Sequence, residues 1–223
     1  MEEIAQITQR AEADNGLPGR LLQSAFFEDS PEQVAPRLLG KLLVHRTPAG
    51  VLAGRIVEVE AYLGPHNTPP DPAAHAHRGP TPRNQVLFGP PGHAYVYAIY
   101  GRYFCMNISC ESEGRAGCVL LRSLQPVAGM AQMAANRGLA PHASARQLAS
   151  GPGRLCHALA LTRPAHNGLS VTSAALPLQV RDDGFAEPEV RVTARIGIRE
   201  AMDWPLRFAV AGHPCVSGPK SMR

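Results

Sequence analysis

Lysine is nearly absent from this chain. Lysine and arginine together number 22 among 223 residues, yet only Lys41 and Lys220 are lysines. The positive charge is therefore almost all guanidinium, a planar fork that matches phosphate oxygens and stays charged in any setting. Long apolar runs are missing too. None approaches the ~20 residues of a membrane span, so no membrane partner is expected. The first residues mix Glu2, Glu3, Arg10, Glu12 and Asp14 with no apolar block, which argues against a secretory signal. A disulfide framework is also missing. Cys105, Cys110, Cys118, Cys156 and Cys215 are odd in number and scattered, the pattern of reduced thiols in a cytoplasmic protein.

What remains suits one large domain that buries a core without metals or disulfides. The net charge of +4 is unevenly spread: the first sixteen residues carry four acids against one base, which leaves the rest near +7. Such a balance tolerates nucleic acid and equally suits small anions. There is no internal repeat and no clear boundary. The expected layout is a polar extension over 1–18, a folded and monomeric domain over 19–217, and a tail over 218–223.

Local signals place the elements. Asp29-Ser30-Pro31-Glu32 starts a helix that ends near Gly40. Leu42 to His45 and Val51 to Tyr62 form a hairpin about Thr47-Pro48-Ala49-Gly50. Residues 63–80 are a Pro/Gly/His-rich loop, of a length that is acceptable when a loop is functional. Thr81-Pro82-Arg83-Asn84 caps a short helix reaching Phe88. Strands follow over His93 to Ile99, Phe104 to Cys110 and Cys118 to Leu124, and Pro126 begins a helix to about Arg137. Short helices open at Pro141 to Ser144 and at Gly151-Pro152-Gly153. Late strands cover Leu178 to Arg181, Glu189 to Ile198 and Leu206 to Val210. Clustered strands with helices around them argue an α+β fold with a mainly antiparallel sheet.

Three patterns carry chemistry. Alternation puts Glu58, Glu60 and Tyr62 on one strand face and Val57, Val59 and Ala61 on the other. Carboxylates in a β-branched run are costly to bury unpartnered, so their face is either a solvated edge or a working cleft. Four of the five tyrosines, Tyr95, Tyr97, Tyr100 and Tyr103, fall within nine residues. That clustering supplies flat surface for stacking, although any one of them also suits a packed sheet face. Arg122 ends an apolar strand. Aromatics, a placed carboxylate and arginine together suit recognition of a nucleobase, with the acid activating water.

The run from Gly54 to Gly64 (Gly-Arg-Ile-Val-Glu-Val-Glu-Ala-Tyr-Leu-Gly) resembles the signature strand of the alkyladenine (3-methyladenine) DNA glycosylases. The resemblance continues in order through Ala73-Ala74-His75, Thr81 to Asn84, Pro91-Gly92, Tyr95 to Gly101, Tyr103 to Ser109, Val119 to Arg122, Ser150 to Pro152 and Pro205 to Phe208. It covers roughly residues 20 to 217. It implies a curved sheet like the C-terminal domain of formyltransferases, and an enzyme that flips alkylated or deaminated purines from duplex DNA and hydrolyses the N-glycosidic bond. It further implies Glu60 as the general base, with Arg122 and the backbone carbonyl of Ile196 near the catalytic water. Tyr62 and Tyr97 sandwich the base, His75 meets its edge, Asn107 helps reject guanine, and Tyr100 wedges into the duplex. Glu58 matches an acid without that role. No cofactor or metal is implied.

Arg83 and Arg102 are the expected contacts to the DNA backbone. A nucleophilic amine would be needed to nick the strand through a Schiff base. With Lys41 well before the acidic motif and Lys220 in the tail, a water-using enzyme that leaves an abasic site is expected. His75-Ala76-His77, with His66 or Asp71, invites a competing metal-dependent hydrolase or nuclease, and a catalytically silent binder of damaged DNA is a third class. A carbohydrate glycosidase using Glu58 and Glu60 fits poorly, because both project in parallel.

Overall fold

The residues Gly50–Tyr62 form the longest strand, β3, and the sheet is organised about it. The computed structural model describes residues 17–101 and 103–219, so the acidic extension, Arg102 and Lys220 lie outside the described residues. The other strands are β1 (Arg20–Leu21), β2 (Leu42–Thr47), β4 (Ala94–Ile99), β5 (Tyr103–Cys110), β6 (Gly117–Ala128), β7 (Leu178–Asp182), β8 (Val190–Thr193) and β9 (Arg207–Val210). Their order is β1-β7-β2-β3-β6-β5-β4, all antiparallel, with β9 on β3 and β8 outside β9. β3 has β6 along one edge. Its other edge is shared, with residues 50–55 on β2 and 58–60 on β9.

Among the described residues five α-helices cover the sheet: α1 (Pro31–Leu38), α2 (Met130–Arg137), α3 (Ala145–Ala149), α4 (Pro152–Ala158) and α5 (Arg163–His166). α1 starts as its sequence dictates, with Pro31 in its first turn, Glu32 beside it and Arg37 in the last turn. Its Val34, Ala35 and Leu38 meet Ile56, Val59, Ala61 and Leu121 of the sheet in one core that also takes Met133, Leu148 and Leu155. Each large apolar side chain removed from water there contributes about 1.5–3 kcal/mol. The α+β class and the antiparallel sheet are as the sequence indicated. No described helix is long and apolar enough to cross a membrane.

Three local expectations need correction. Pro126 does not begin a helix. β6 runs on to Ala128, with Pro126 paired to Gly54 where the register shifts, so the missing N–H falls at an irregularity. The helix waits for Gly129, whose φ of 74° turns the chain. Residues 189–198 are strand only over Val190–Thr193, because the chain then leaves β9 to run beside the end of β3. The short helix expected to reach Phe88 is present as a 3₁₀ turn, Gln85–Phe88, but no side chain of Thr81 to Asn84 caps it. Asn84 instead receives Thr81 N–H and donates to the carbonyls of His75 and Gly79, which ties down the loop before it.

The loop leaves β3 through Gly64, where a Cβ would sit 1.9 Å from the Arg115 carbonyl oxygen. Only glycine permits this backbone approach. Gly64→Ala is expected to destabilise the fold by about 1–3 kcal/mol, read as a lower urea midpoint with an unchanged slope.

Candidate active site

Cross-strand partners in an antiparallel sheet share a face. One row crosses five strands: Tyr95 pairs with Asn107, Asn107 with Leu120, Leu120 with Glu60, and Glu60 with Arg207. Steps of two residues add Tyr97 and Tyr62 to the same face. Above it lies a cavity of about 490 Å³, closed by the loop after β3 and the segment after β8. Tyr62, His75, Tyr97, Asn107, Arg122 and Ile196 all line it, with Arg83 and Tyr100. The structure thus gathers every described site residue predicted from the sequence except Glu60, which lies just behind the wall.

Two bulges aim the charged groups. Ile56 pairs with Leu124 and Glu58 with Ser123, leaving Val57 over; Val59 then pairs with Leu121, leaving Arg122 over. Val57 accordingly departs from the expected alternation. It packs with Ala209, Cys215 and Val216, while Ile56 joins Val59 and Ala61 in the main core. On β6 the extra residue turns the Arg122 guanidinium onto β3. Its Nε donates to Glu58 Oε1 at 2.9 Å and its Nη1 lies 3.0 Å from Glu60 Oε1.

The two carboxylates are treated differently. Glu58 is fully buried and also receives Arg207 Nε at 2.7 Å, Ser123 Oγ at 3.0 Å, Ser217 N–H at 2.7 Å and Ser217 Oγ at 2.8 Å. Burial alone would raise its carboxyl, but Arg122, Arg207 and the Ser217 N–H outweigh it and bring it from 4.5 to about 2. Glu58 is therefore saturated, with no place for a substrate. Glu60, also shut off from solvent, receives Ile196 N–H at 2.7 Å on Oε1 and the Tyr62 hydroxyl at 2.9 Å on Oε2. All its donors, Arg122 included, belong to cavity-lining residues. At Ile196 it is the N–H that engages the acid directly.

A second buried pair holds the walls. Asp71 receives both terminal nitrogens of Arg195, one at 2.9 Å, together with the N–H groups of Leu63 and Ala73. Asp71 is thereby taken out of any ligand set with His75 and His77. Among the described residues no three of His, Cys, Asp and Glu gather to hold a metal ion. Arg195 also donates to the Ala61 carbonyl and lies 4.6 Å from the Tyr62 ring centroid. Sequence reasoning missed Arg195, Arg207 and Ser217. The only available signal was arginine in or beside apolar stretches.

On the opposite wall Tyr95 and Tyr97 stack at 5.4 Å, and the Tyr97 ring is 4.6 Å from that of His75. His75 Nδ1 lies 3.0 Å from the Tyr95 hydroxyl, and burial, with Arg83 nearby, lowers its pKa and favours the neutral ring. Asn107 is buried and its amide makes only long contacts, 3.5 Å to the Tyr95 carbonyl and 3.7 Å from Cys118 Sγ. Arg83 sits 5.6 Å over the Tyr97 ring. At the rim Tyr100 is 90% exposed at a φ of 48°, a strained position for a large side chain with no packing to explain it.

The recess thus has flat aromatic walls beside a buried carboxylate and guanidinium. The comparisons with known proteins give the family. The methylpurine-DNA glycosylase (MPG) family matches over residues 25–214. A protein of Koribacter versatilis named "Putative 3-methyladenine DNA glycosylase" is 54% identical over 199 residues, covering 89% of this chain and 94% of its own. Proteins of the same name from Methanoculleus marisnigri and Rhodopseudomonas palustris are 49% and 47% identical, over 88% and 90% of this chain and 98% and 90% of theirs. The chain belongs to the methylpurine-DNA glycosylase family, and its coarse activity is that of a DNA glycosylase of base excision repair.

Glu58 makes stability depend on acid. Its folded-state pKa is depressed, so its contribution is complete above 4.5 and is lost as pH falls toward about 2. The shift corresponds to about 3 kcal/mol. Urea midpoints of the protein should fall steeply across that window, whereas Glu58→Gln should start lower and fall less.

Proposed function

We propose that the protein removes alkylated or deaminated purines, of the 3-methyladenine, 7-methylguanine, hypoxanthine and ethenoadenine class, from duplex DNA. The carrying observation is the Glu60 carboxylate held just behind the wall of an aromatic cavity by three residues that line it, Arg122, Ile196 through its N–H, and Tyr62. The damaged nucleotide is turned out of the stack, which costs least where pairing is already weakened. Its base enters between Tyr62 on one side and Tyr97 with His75 on the other, and Asn107 reads an edge. Tyr100 enters the gap and offsets part of the unstacking cost, a few kcal/mol per step.

Glu60 accepts a proton from a water that attacks C1′. The C1′–O bond forms as the C1′–N bond breaks and the electron pair leaves on the base: a cationic methylated base departs neutral, and an uncharged base departs as its anion and takes a proton from solvent water. Arg122 Nη1, 3.0 Å from Oε1, holds the carboxylate in place. The second water ligand implied by the resemblance, the Ile196 carbonyl, belongs to a residue already tied to Glu60 by its N–H. Water is favoured over an amine nucleophile because Lys41 is paired with Asp182 at 2.9 Å and is not among the residues that line this cavity. The product is an intact strand with an abasic site.

Glu60→Gln is expected to abolish base release from methylated and hypoxanthine-containing duplexes, measured with EDTA present, while DNA binding survives. Release at the normal rate by this variant would remove Glu60 from its role. At the cavity mouth, Arg83 is a contact to the DNA backbone. Arg83→Ala should weaken binding to any duplex and flatten the salt dependence by about one unit of slope, and an unchanged slope would exclude the contact.

A further inference from the structure

A stacking wall needs an aromatic ring and not a hydroxyl. The hydroxyl of Tyr62 is nevertheless committed, at 2.9 Å, to Glu60 Oε2. The donors on Glu60 are unevenly divided. Each carboxylate oxygen offers two lone pairs. Oε1 uses both, on Ile196 N–H and on Arg122, whereas Oε2 receives only Tyr62. We infer that the Tyr62 hydroxyl is a positioning group for the base, fixing the Glu60 carboxylate so that one lone pair, on Oε2, is the place where the attacking water is held and deprotonated.

The ring that carries this hydroxyl is not free to drift. The Arg195 guanidinium lies 4.6 Å from its centroid, and Arg195 is itself locked by Asp71 and the Ala61 carbonyl. Burial and the neighbouring Glu60 carboxylate push the ionisation of Tyr62 far up, so it stays a donor. Tyr62 is then both a wall of the base site and the group that sets the proton affinity of the oxygen taking the water's proton.

This inference rests on Glu60 being the base. During attack the water gives its proton to Oε2, the oxygen that already accepts from Tyr62. A donor on that oxygen weakens its hold on a proton, and removal of the donor strengthens it. The acid limb of the rate profile should therefore move to higher pH in Tyr62→Phe, by about one unit for one hydrogen bond to a charged group.

The test is single-turnover base release from methylated duplex DNA as a function of pH, for the wild type, Tyr62→Phe and Glu60→Gln. The expected result is an upward-shifted acid limb in Tyr62→Phe, with binding to the methylated duplex unchanged because the ring remains. An unmoved limb, or a uniform loss of rate at every pH, would overturn the inference and leave Tyr62 a wall only. Should the phenylalanine variant not fold, 3-fluorotyrosine at position 62, a stronger donor on the same ring, must move the limb down. Glu60→Gln separates the two levels. If it is inactive while the Tyr62→Phe limb stays put, only the role of Tyr62 falls. If it is active, the reading of Glu60 as base falls with it.

Discussion

The site depends on one buried contact, the Arg122 guanidinium lying between two carboxylates, 2.9 Å from Glu58 and 3.0 Å from Glu60. Two acids two residues apart on one strand would repel and could not both remain charged without water. Arg122 makes their coexistence possible, and Arg207 supplies the second positive charge on Glu58. The division of labour follows. Glu58 is saturated by donors from β6, β9 and residue 217, and it anchors the guanidinium. Glu60 shares that guanidinium but keeps capacity on Oε2. A buried ionic cluster of this kind is weak evidence for stability. Its value here is geometric, since it fixes an acid that has no solvent contact beside a cavity that has.

The Asp71–Arg195 pair extends the same logic to the walls. It joins a proline-rich loop and the segment after β8, two stretches with no strand pairing at this point, to the end of β3. His75 and Ala73 come from the first, Tyr62 from the second and Ile196 from the third, and all line the cavity. Asn84 adds its bonds to the carbonyls of His75 and Gly79. These bonds from Asp71, Arg195 and Asn84 hold an irregular loop in shape from inside, although His77 Nδ1 is buried without a partner.

Much of this was legible from the sequence, for physical reasons that differ from residue to residue. Period-two alternation correctly brought Glu60 and Tyr62 to one face, and the tyrosine cluster marked β4 because sheet aromatics have few other uses at that density. The bulges at Val57 and Arg122 were hidden, since an extra residue leaves the letters of an alternating strand unchanged and shows only in the pairing. The choice between Glu58 and Glu60 was equally hidden from alternation: it depends on Arg207 and Ser217, which reach Glu58 from more than a hundred residues away. Arg195 meets Asp71 across a separation of 124 residues, with no local pattern to announce it. Pro126 misled because proline at a helix start is the commoner use, whereas here a register shift on β3 accommodates it.

The central claim is that a water on Glu60, and no side chain, takes the place of the base at C1′. The most direct measurement is the anomeric configuration of the product when methanol competes with water as the nucleophile. Nucleotides in DNA carry the base on the β face. A single displacement from a water site opposite the departing base predicts the α-methyl glycoside. The β-methyl glycoside, or a protein–DNA adduct trapped by borohydride, would contradict the account.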